Sequence, residues 1–240
     1  MMKVQDRSGC VMCATRRACV FGELQNDELP KLEQLLYNKS TVVYATGELI
    51  HARAARVETI FMLRQGVVKE CIPLADGREQ ITQLLKSGDL FGIDSLVGRD
   101  YHVAAVAAMA CEICQVSSRG LEHARHHFQM LQNSIDRRCN TAMRRARERI
   151  VALAARRAPE RVADFLLDWC AEAPPETGAA LPLSRADLGG MLGVATETVI
   201  RFLSEWRKHG LIELDGPTVR IVDARRLREH ACPRGDCWSS

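Results

Sequence analysis

Short apolar runs rich in Val, Ile and Thr follow one another between residues 41 and 116. Glycine-containing turns such as Thr46-Gly47-Glu48 separate these runs at intervals of roughly ten residues. Short strands with regular turns are typical of a small antiparallel β-roll or barrel. Before this region, residues 26–38 predict a short helix, because four leucines recur on one helical face: Leu29, Leu32, Leu35 and Leu36.

Helical periodicity returns after Ser117-Ser118 and continues to about Cys170, with a predicted break near Ala158-Pro159. Within it, an apolar seam advances in alternating steps of four and three residues: Cys139, Met143, Ala146, Ile150 and Leu153. A stripe this narrow on an arginine-rich helix favours pairing with a second helix, as in a coiled coil. We therefore predict a dimerisation helix that uses the last four of these residues. The alternative is an ordinary amphipathic helix covered by its own domain.

The pattern from Leu183 to Lys208 predicts two helices joined by a tight turn. Ser184 is the predicted N-cap of the first helix, and Gly193-Val194-Ala195 is the turn. The second helix begins at a predicted cap, Thr196, and its apolar positions recur with helical spacing: Val199, Phe202, Leu203 and Trp206. Two such helices form a helix-turn-helix, and residues 211–222 add a hairpin that makes the domain a winged helix.

The second helix of a helix-turn-helix reads base edges in the major groove with its N-terminal residues. The predicted DNA-contacting residues are therefore Thr196, Glu197, Ile200 and Arg201. Glu can accept a hydrogen bond from cytosine, and Arg can bridge two acceptors of guanine. Residues 184–228 carry eight basic and six acidic side chains, so charge does not exclude a helical pair without a nucleic-acid role.

Composition places the chain among ordinary globular proteins, with 47% apolar and 26% charged residues. Its 240 residues suffice for two modest domains. No apolar stretch approaches the length of about 18 residues that a membrane helix needs, and the polar start lacks a signal-peptide core. We therefore expect a cytoplasmic protein without a membrane partner. The absence of phosphate-loop, nucleophile-elbow and zinc-protease motifs predicts that it is not an enzyme.

The charge is distributed unevenly, although the net value is only +3. Nine arginines lie between Arg137 and Arg161, against the two acidic residues Glu148 and Glu160. This local excess falls on the predicted dimerisation helix and indicates a surface that meets anions or repels a second copy.

Ten cysteines are many for a cytosolic chain, and three of them cluster near the N-terminus as Cys10-x2-Cys13-x5-Cys19. In a reducing compartment such clusters are typical of metal or redox ligands. Four thiolates suit either an iron–sulfur cluster or a zinc ion, so spacing alone leaves both open.

Three motifs resemble those of the Crp/Fnr family of bacterial regulators: Gly88-Asp89-Leu90-Phe91-Gly92, the run from Glu160 to Leu166, and Glu197-Thr198-Val199-Ile200-Arg201. The resemblance covers essentially the whole chain. It implies an α+β fold with a cyclic-nucleotide-binding-like β-roll, a long dimerisation helix and a C-terminal winged helix-turn-helix. The corresponding domains are a leader (1–22), the roll (23–130), the dimerisation helix (131–158) and the DNA-binding domain (159–240). The implied partners are double-stranded DNA, RNA polymerase and a second copy of the chain.

The Fnr branch of this family binds an oxygen-labile [4Fe–4S] cluster through three N-terminal cysteines and one on the roll. The resemblance implies Cys10, Cys13, Cys19 and Cys111, the last of which precedes Glu112-Ile113. If this segment is a strand, Cys114 faces the other way and is expected to be a poor ligand when Cys111 is one. The leading hypothesis is therefore an oxygen or nitric oxide sensor. A thiol- or zinc-based regulator is the alternative, and the recognition helix argues against a third possibility, an electron carrier.

Two departures from the family pattern modify these expectations. Ile93 and Tyr101-His102 occupy the positions where the cyclic-nucleotide branch has an acidic residue and an Arg-Ser pair. Without the arginine there is no bidentate phosphate partner, so no cyclic nucleotide is expected. Ile200 stands where the Fnr branch usually has serine, which leaves the half-site sequence in doubt.

Overall fold

The computed structural model describes residues 9–36, 39–75, 77–93, 99–174 and 176–231. Two features of the sequence lie outside the described residues. They are the end of the predicted helix at residues 37–38, and the pair Cys232 and Cys237. The chain divides into two compact units, Met1–Arg144 and Arg145–Ser240. No helix among the described residues is long and apolar enough to cross a membrane.

The first unit contains the predicted β-roll. Two 3₁₀ turns, Cys10–Met12 and Arg16–Ala18, precede helix α1 (Leu29–Leu35). Eight strands follow: β1 (Ser40–Tyr44), β2 (Leu49–His51), β3 (Thr59–Gln65), β4 (Val68–Pro73), β5 (Glu79–Leu85), β6 (Leu90–Phe91), β7 (Ala104–Ala107) and β8 (Cys111–Ser117). They form two antiparallel sheets, in the orders β1-β8-β3-β6 and β2-β7-β4-β5.

Alternation along β3 divides the apolar core of this unit into two parts. Phe61 and Leu63 point between the sheets, where they meet Val68 of β4. Ile60 and Met62 point to the outer face of the first sheet. That outer face is covered by side chains of the leader and the helices: Val20, Phe21, Leu24, Leu29, Leu32, Leu121 and Ile135. The cysteine-bearing leader is therefore part of the folded roll.

Two helices follow the roll, α2 (Ser118–His127) and α3 (Gln129–Ala155). The hydroxyl of Ser117 caps α2 by accepting a hydrogen bond from the Gly120 amide at 3.0 Å. Helix α3 has 27 residues and crosses the division between the two units. It buries apolar groups only near its start, where Leu131 and Ile135 join the roll.

The second unit begins with the end of α3. Helix α4 (Ala158–Cys170) starts at the predicted break, with Pro159 in its first turn, where the missing N–H costs nothing. Three helices and three short strands follow: β9 (Ala179–Ala180), α5 (Arg185–Leu192), α6 (Thr196–Lys208), β10 (Ile212–Asp215), β11 (Thr218–Ile221) and α7 (Ala224–Ala231). Strands β10 and β11 pair as the predicted wing, and β9 adds a third strand to β11.

Candidate DNA interface and thiol pocket

Helices α5 and α6 form the helix-turn-helix, and local capping fixes the turn between them. The Ser184 hydroxyl accepts a hydrogen bond from the Asp187 amide at 3.0 Å at the start of α5. Gly193 ends α5 in the left-handed region, with φ of 62°. An L-residue with a side chain is strained there by about 1–2 kcal/mol, so glycine suits the turn.

The two faces of α6 differ as the sequence predicts. Val199, Leu203 and Trp206 are buried, while Glu197 and Arg201 are exposed. Ile200 is 49% exposed, so its side chain is accessible on the same face as Glu197 and Arg201. The predicted cap is corrected by one residue, because Ala195 is the extended N-cap and Thr196 is the first helical residue.

The exposed start of α6 is held in place by contacts that the sequence patterns do not reveal. Arg161 of α4 donates from Nε to the Leu192 carbonyl at 2.7 Å and from Nη2 to the Gly193 carbonyl at 2.9 Å. These are carbonyls that the end of α5 leaves without helical partners. Arg161 therefore holds the turn before the recognition helix. The hydrophobic pattern of the sequence does not predict this contact.

A pocket in the first unit brings leader cysteines together with a cysteine of β8. It measures about 490 Å³ including its open mouth. Four thiols line it, together with a rim of other side chains: Cys10, Cys13, Cys19 and Cys114, with Thr15, Arg16, Phe21, Lys39, Thr41, Met62, Leu63 and Arg64. The Cys19 sulfur lies 3.9 Å from the Met62 sulfur.

Cys111 does not line this pocket, although the sequence resemblance implies that it is the fourth ligand. Cys111 is buried between the two sheets, in the part of the core that contains Val42 and Phe61. Cys114 lies three residues further along β8 and so points to the outer face, which the leader covers. The expectation that the two cysteines face opposite ways is confirmed, but Cys114 is the one that meets the leader.

Lys39 places a positive charge inside the thiol pocket. Its Nζ lies 3.1 Å from the Cys10 sulfur and 3.3 Å from Glu33 Oε1. The backbone amide of Cys10 donates to the same carboxylate oxygen. Glu33 therefore holds the main chain of Cys10, and Lys39 contacts its sulfur.

Burial raises the pKa of three of the thiols that line the pocket. It raises the pKa of Cys19 to about 11 and that of Cys114 to about 12. It also raises the pKa of Cys10, against the opposing charge of Lys39. These thiols are protonated at neutral pH in the metal-free chain, because a thiolate is costly in an apolar pocket unless a cation compensates it.

Arg138 links the leader to helix α3. Its guanidinium donates to the Ala18 carbonyl at 2.5 Å and to the Gly88 carbonyl at 2.8 Å. Ala18 precedes Cys19, and a Cβ on Gly88 would come within 2.7 Å of Ala18. The glycine therefore permits the leader to lie against the β5–β6 turn. Arg137 adds an ion pair with Glu23.

The second half of α3 exposes the predicted apolar stripe. Met143 is 51% exposed, Ile150 is 66% exposed and Leu153 is 44% exposed, and Ala146 between them is also exposed. Val151 widens the stripe. Such a row of exposed apolar side chains suits a surface that is buried on association.

The space between the sheets of the roll is occupied by stacked aromatic rings. The His51 and Tyr101 rings are stacked with centroids 3.9 Å apart, and His51 also stacks on Phe61 at 5.3 Å. Phe91 extends the stack at 5.0 Å from Phe61, and the Tyr101 hydroxyl donates to the Thr59 carbonyl at 2.6 Å. Tyr101 thus occupies the roll interior at one of the positions where the sequence departs from the cyclic-nucleotide branch.

Comparison with known proteins agrees with this arrangement. Residues 41–127 match the cyclic nucleotide-binding domain, and residues 160–230 match the Crp-like helix-turn-helix domain. The chain is 27% identical to electron transport regulator A of Shewanella oneidensis, over 92% of this chain and 90% of that protein. It is 25% identical to the fumarate and nitrate reduction regulatory protein of Vibrio cholerae, over 92% and 90%.

A solved structure shows the same architecture. The structure of FixK2 from Bradyrhizobium japonicum superposes with a TM-score of 0.75 at 28% identity, covering 84% of this chain and 99% of that one. The protein is therefore a DNA-binding transcription regulator in which a β-roll precedes a helix-turn-helix. It belongs to the Crp/Fnr family, whose members are regulators and not enzymes, which confirms the predicted family and fold class.

Proposed function

We propose that this regulator senses oxygen or nitric oxide through a [4Fe–4S] cluster held by Cys10, Cys13, Cys19 and Cys114. The observation that carries the proposal is the convergence of these four thiols on one pocket. The name of the Vibrio relative, which refers to fumarate and nitrate reduction, supports a role in anaerobic regulation.

The pocket residues fit such a cluster in donor set and surroundings. A [4Fe–4S] cluster takes four cysteine thiolates and, when bound, supplies a redox-active group whose integrity depends on oxygen. The apolar groups of Phe21 and Met62 at the pocket limit access of solvent. Lys39 offers a hydrogen bond to the sulfur of Cys10, an interaction of the kind that tunes cluster potential.

The raised thiol pKa values favour a metal-containing centre over a bare thiol switch. Redox-sensing cysteines without metal are typically accessible and have a lowered pKa, since the thiolate is the reactive form. Burial raises the pKa of Cys19 to about 11 and that of Cys114 to about 12. Such thiols react slowly as nucleophiles but ionise when a metal centre compensates their charge.

Analysis of anaerobically purified full-length protein tests this proposal. We expect about four iron and four sulfide per chain, the content of one [4Fe–4S] cluster, and visible absorbance that bleaches in air. A colourless protein that contains one zinc ion would instead support the zinc-based alternative if Cys13→Ser removes that ion, because this alternative uses the same thiols.

The proposed output is dimerisation through the α3 stripe, followed by binding to an inverted-repeat operator. Two recognition helices related by a two-fold axis fit half-sites about 10–10.5 bp apart. The proposed DNA-contacting residues are Thr196, Glu197, Ile200 and Arg201. RNA polymerase is the proposed downstream partner. The aromatic stack in the roll supports the further proposal that no cyclic nucleotide takes part.

Arg138 is expected to transmit the state of the pocket to α3. It joins the carbonyl that precedes Cys19 to the helix that carries the apolar stripe. Arg138→Ala should therefore leave iron and sulfide content unchanged but reduce the difference in dimerisation between cluster-loaded and air-treated protein. Anaerobic sedimentation of both forms measures that difference. Arg119→Ala, an exposed arginine of α2, is the matched control. Equal behaviour of the two variants would show that Arg138 does not couple the pocket to α3.

Arg201 is expected to read a guanine in each half-site. Arg201→Ala should cost about 1–3 kcal/mol per half-site and relax discrimination at that base pair. Arg207→Ala, on the same helix and also exposed, should weaken all sequences alike if the guanidinium meets phosphate. Binding selection from a randomised operator library separates these effects. An unchanged preferred motif for Arg201→Ala would place the base-reading residue elsewhere on α6.

A further inference from the structure

A second group of metal-binding side chains lies in the DNA-binding unit. One ligand atom each from Glu205, His209 and His230 lies within 4.8 Å of the other two. Glu205 Oε1 is 3.5 Å from His230 Nε2, and the two imidazole centroids are 5.3 Å apart in an edge-to-face arrangement. No other trio of potential ligands this close occurs in the described parts of the chain.

The backbone around this group favours a positive charge. Glu205 lies in the last turn of α6, whose C-cap is His209, and His230 lies in the last turn of α7. The C-terminus of α6 carries the negative end of its helix dipole. A cation held beside His209 would meet that favourable end.

We propose that Glu205, His209 and His230 form a binding site for a divalent transition-metal cation, of which Zn²⁺ best matches the donors. Two imidazole nitrogens and one carboxylate oxygen are a ligand set that zinc accepts, with water completing the coordination. The exposed side chains can adjust their rotamers to close around the ion. Sequence alone conceals the site, because His230 lies 21 positions after His209.

Metal binding at this site would join the recognition helix to the C-terminal helix. Helix α7 packs on α4, and α6 packs on α5 and the wing. A bound ion adds a direct link between the ends of α6 and α7, so it should restrict the motion of the recognition helix relative to the rest of the unit. This site is independent of the thiol pocket and of the proposed iron–sulfur function.

Zinc titration of full-length protein tests the site. Cys10, Cys13 and Cys19 are replaced by serine in the test protein, so that the thiol pocket does not take up zinc. Calorimetry should show one Zn²⁺ per chain, with a rise in melting temperature on binding. His209→Ala and His230→Ala should each weaken binding by more than about 100-fold, since loss of a direct ligand exceeds the 10–100-fold effect of second-shell residues.

Two controls make the result decisive. His123→Ala removes an exposed histidine of α2 and should leave zinc affinity unchanged. A Cys232→Ser/Cys237→Ser variant should also retain it. The proposal is overturned if His209→Ala and His230→Ala bind zinc as tightly as the parent, or if only the cysteine double variant loses the ion. Circular dichroism of the metal-free variants verifies that each is folded.

Discussion

Cys114→Ser is expected to abolish the iron–sulfur cluster, whereas Cys111→Ser leaves it in place. Cys114 faces the leader cysteines across the pocket, while Cys111 is buried between the sheets on the opposite side of the same strand. Each thiolate is one of only four anchors, and a serine hydroxyl does not ionise at neutral pH to replace it. The two substitutions are chemically identical and lie three residues apart, so each serves as the control for the other.

Iron and acid-labile sulfide in the anaerobic proteins are the measurements. We expect Cys10→Ser, Cys13→Ser and Cys19→Ser to behave like Cys114→Ser, because all four thiols line the pocket. Cys111→Ser buries a hydroxyl among apolar groups and should lower stability by about 1–3 kcal/mol without loss of iron. Full cluster content in Cys114→Ser, with loss in Cys111→Ser, would restore the assignment made from the sequence resemblance.

The choice between Cys111 and Cys114 as the fourth ligand shows what a sequence pattern leaves undetermined. Alternation along β8 establishes that the two cysteines face opposite ways, since side chains in a strand have a period of two. It does not establish which face the leader covers. That choice depends on tertiary packing, in which Val20 and Phe21 of the leader meet Ile60 and Met62 of β3. Because the two cysteines are an odd number of residues apart, only one of them can face the leader.

Other features were predictable because local chemistry decides them. The helix-turn-helix follows from capping by Ser184, a glycine in the left-handed region and helical spacing of apolar residues, all of which act within a few positions. The roles of Arg138 and Arg161 were not predictable in this way. Each arginine donates to carbonyls that are at least 31 positions away in sequence, and an arginine-rich helix gives no sign of which guanidinium does so.

Ile150→Glu is expected to give a monomer even when the cluster is intact. Ile150 is 66% exposed and lies near the centre of the apolar stripe. Burial of one such side chain contributes about 1.5–3 kcal/mol to the free energy of association. In a two-fold dimer both subunits carry the substitution, so the loss occurs twice. The dimer dissociation constant should therefore rise by roughly a hundredfold to ten-thousandfold. New ion pairs between Glu and the flanking arginines recover little, because exposed pairs contribute about 0–1 kcal/mol each.

Anaerobic sedimentation of the cluster-loaded variants tests this expectation, and operator affinity should fall in parallel because only a dimer engages both half-sites. Met143→Glu, two helical turns earlier on the stripe, should act in the same direction. Glu148→Ala changes the opposite face of α3 and is the matched control. Leu153 is less suitable for substitution, because its Cδ2 methyl lies beside Gly193 in the helix-turn-helix. A dimer that persists in both Ile150→Glu and Met143→Glu would mean that association uses another surface, and that the exposed stripe serves a different partner.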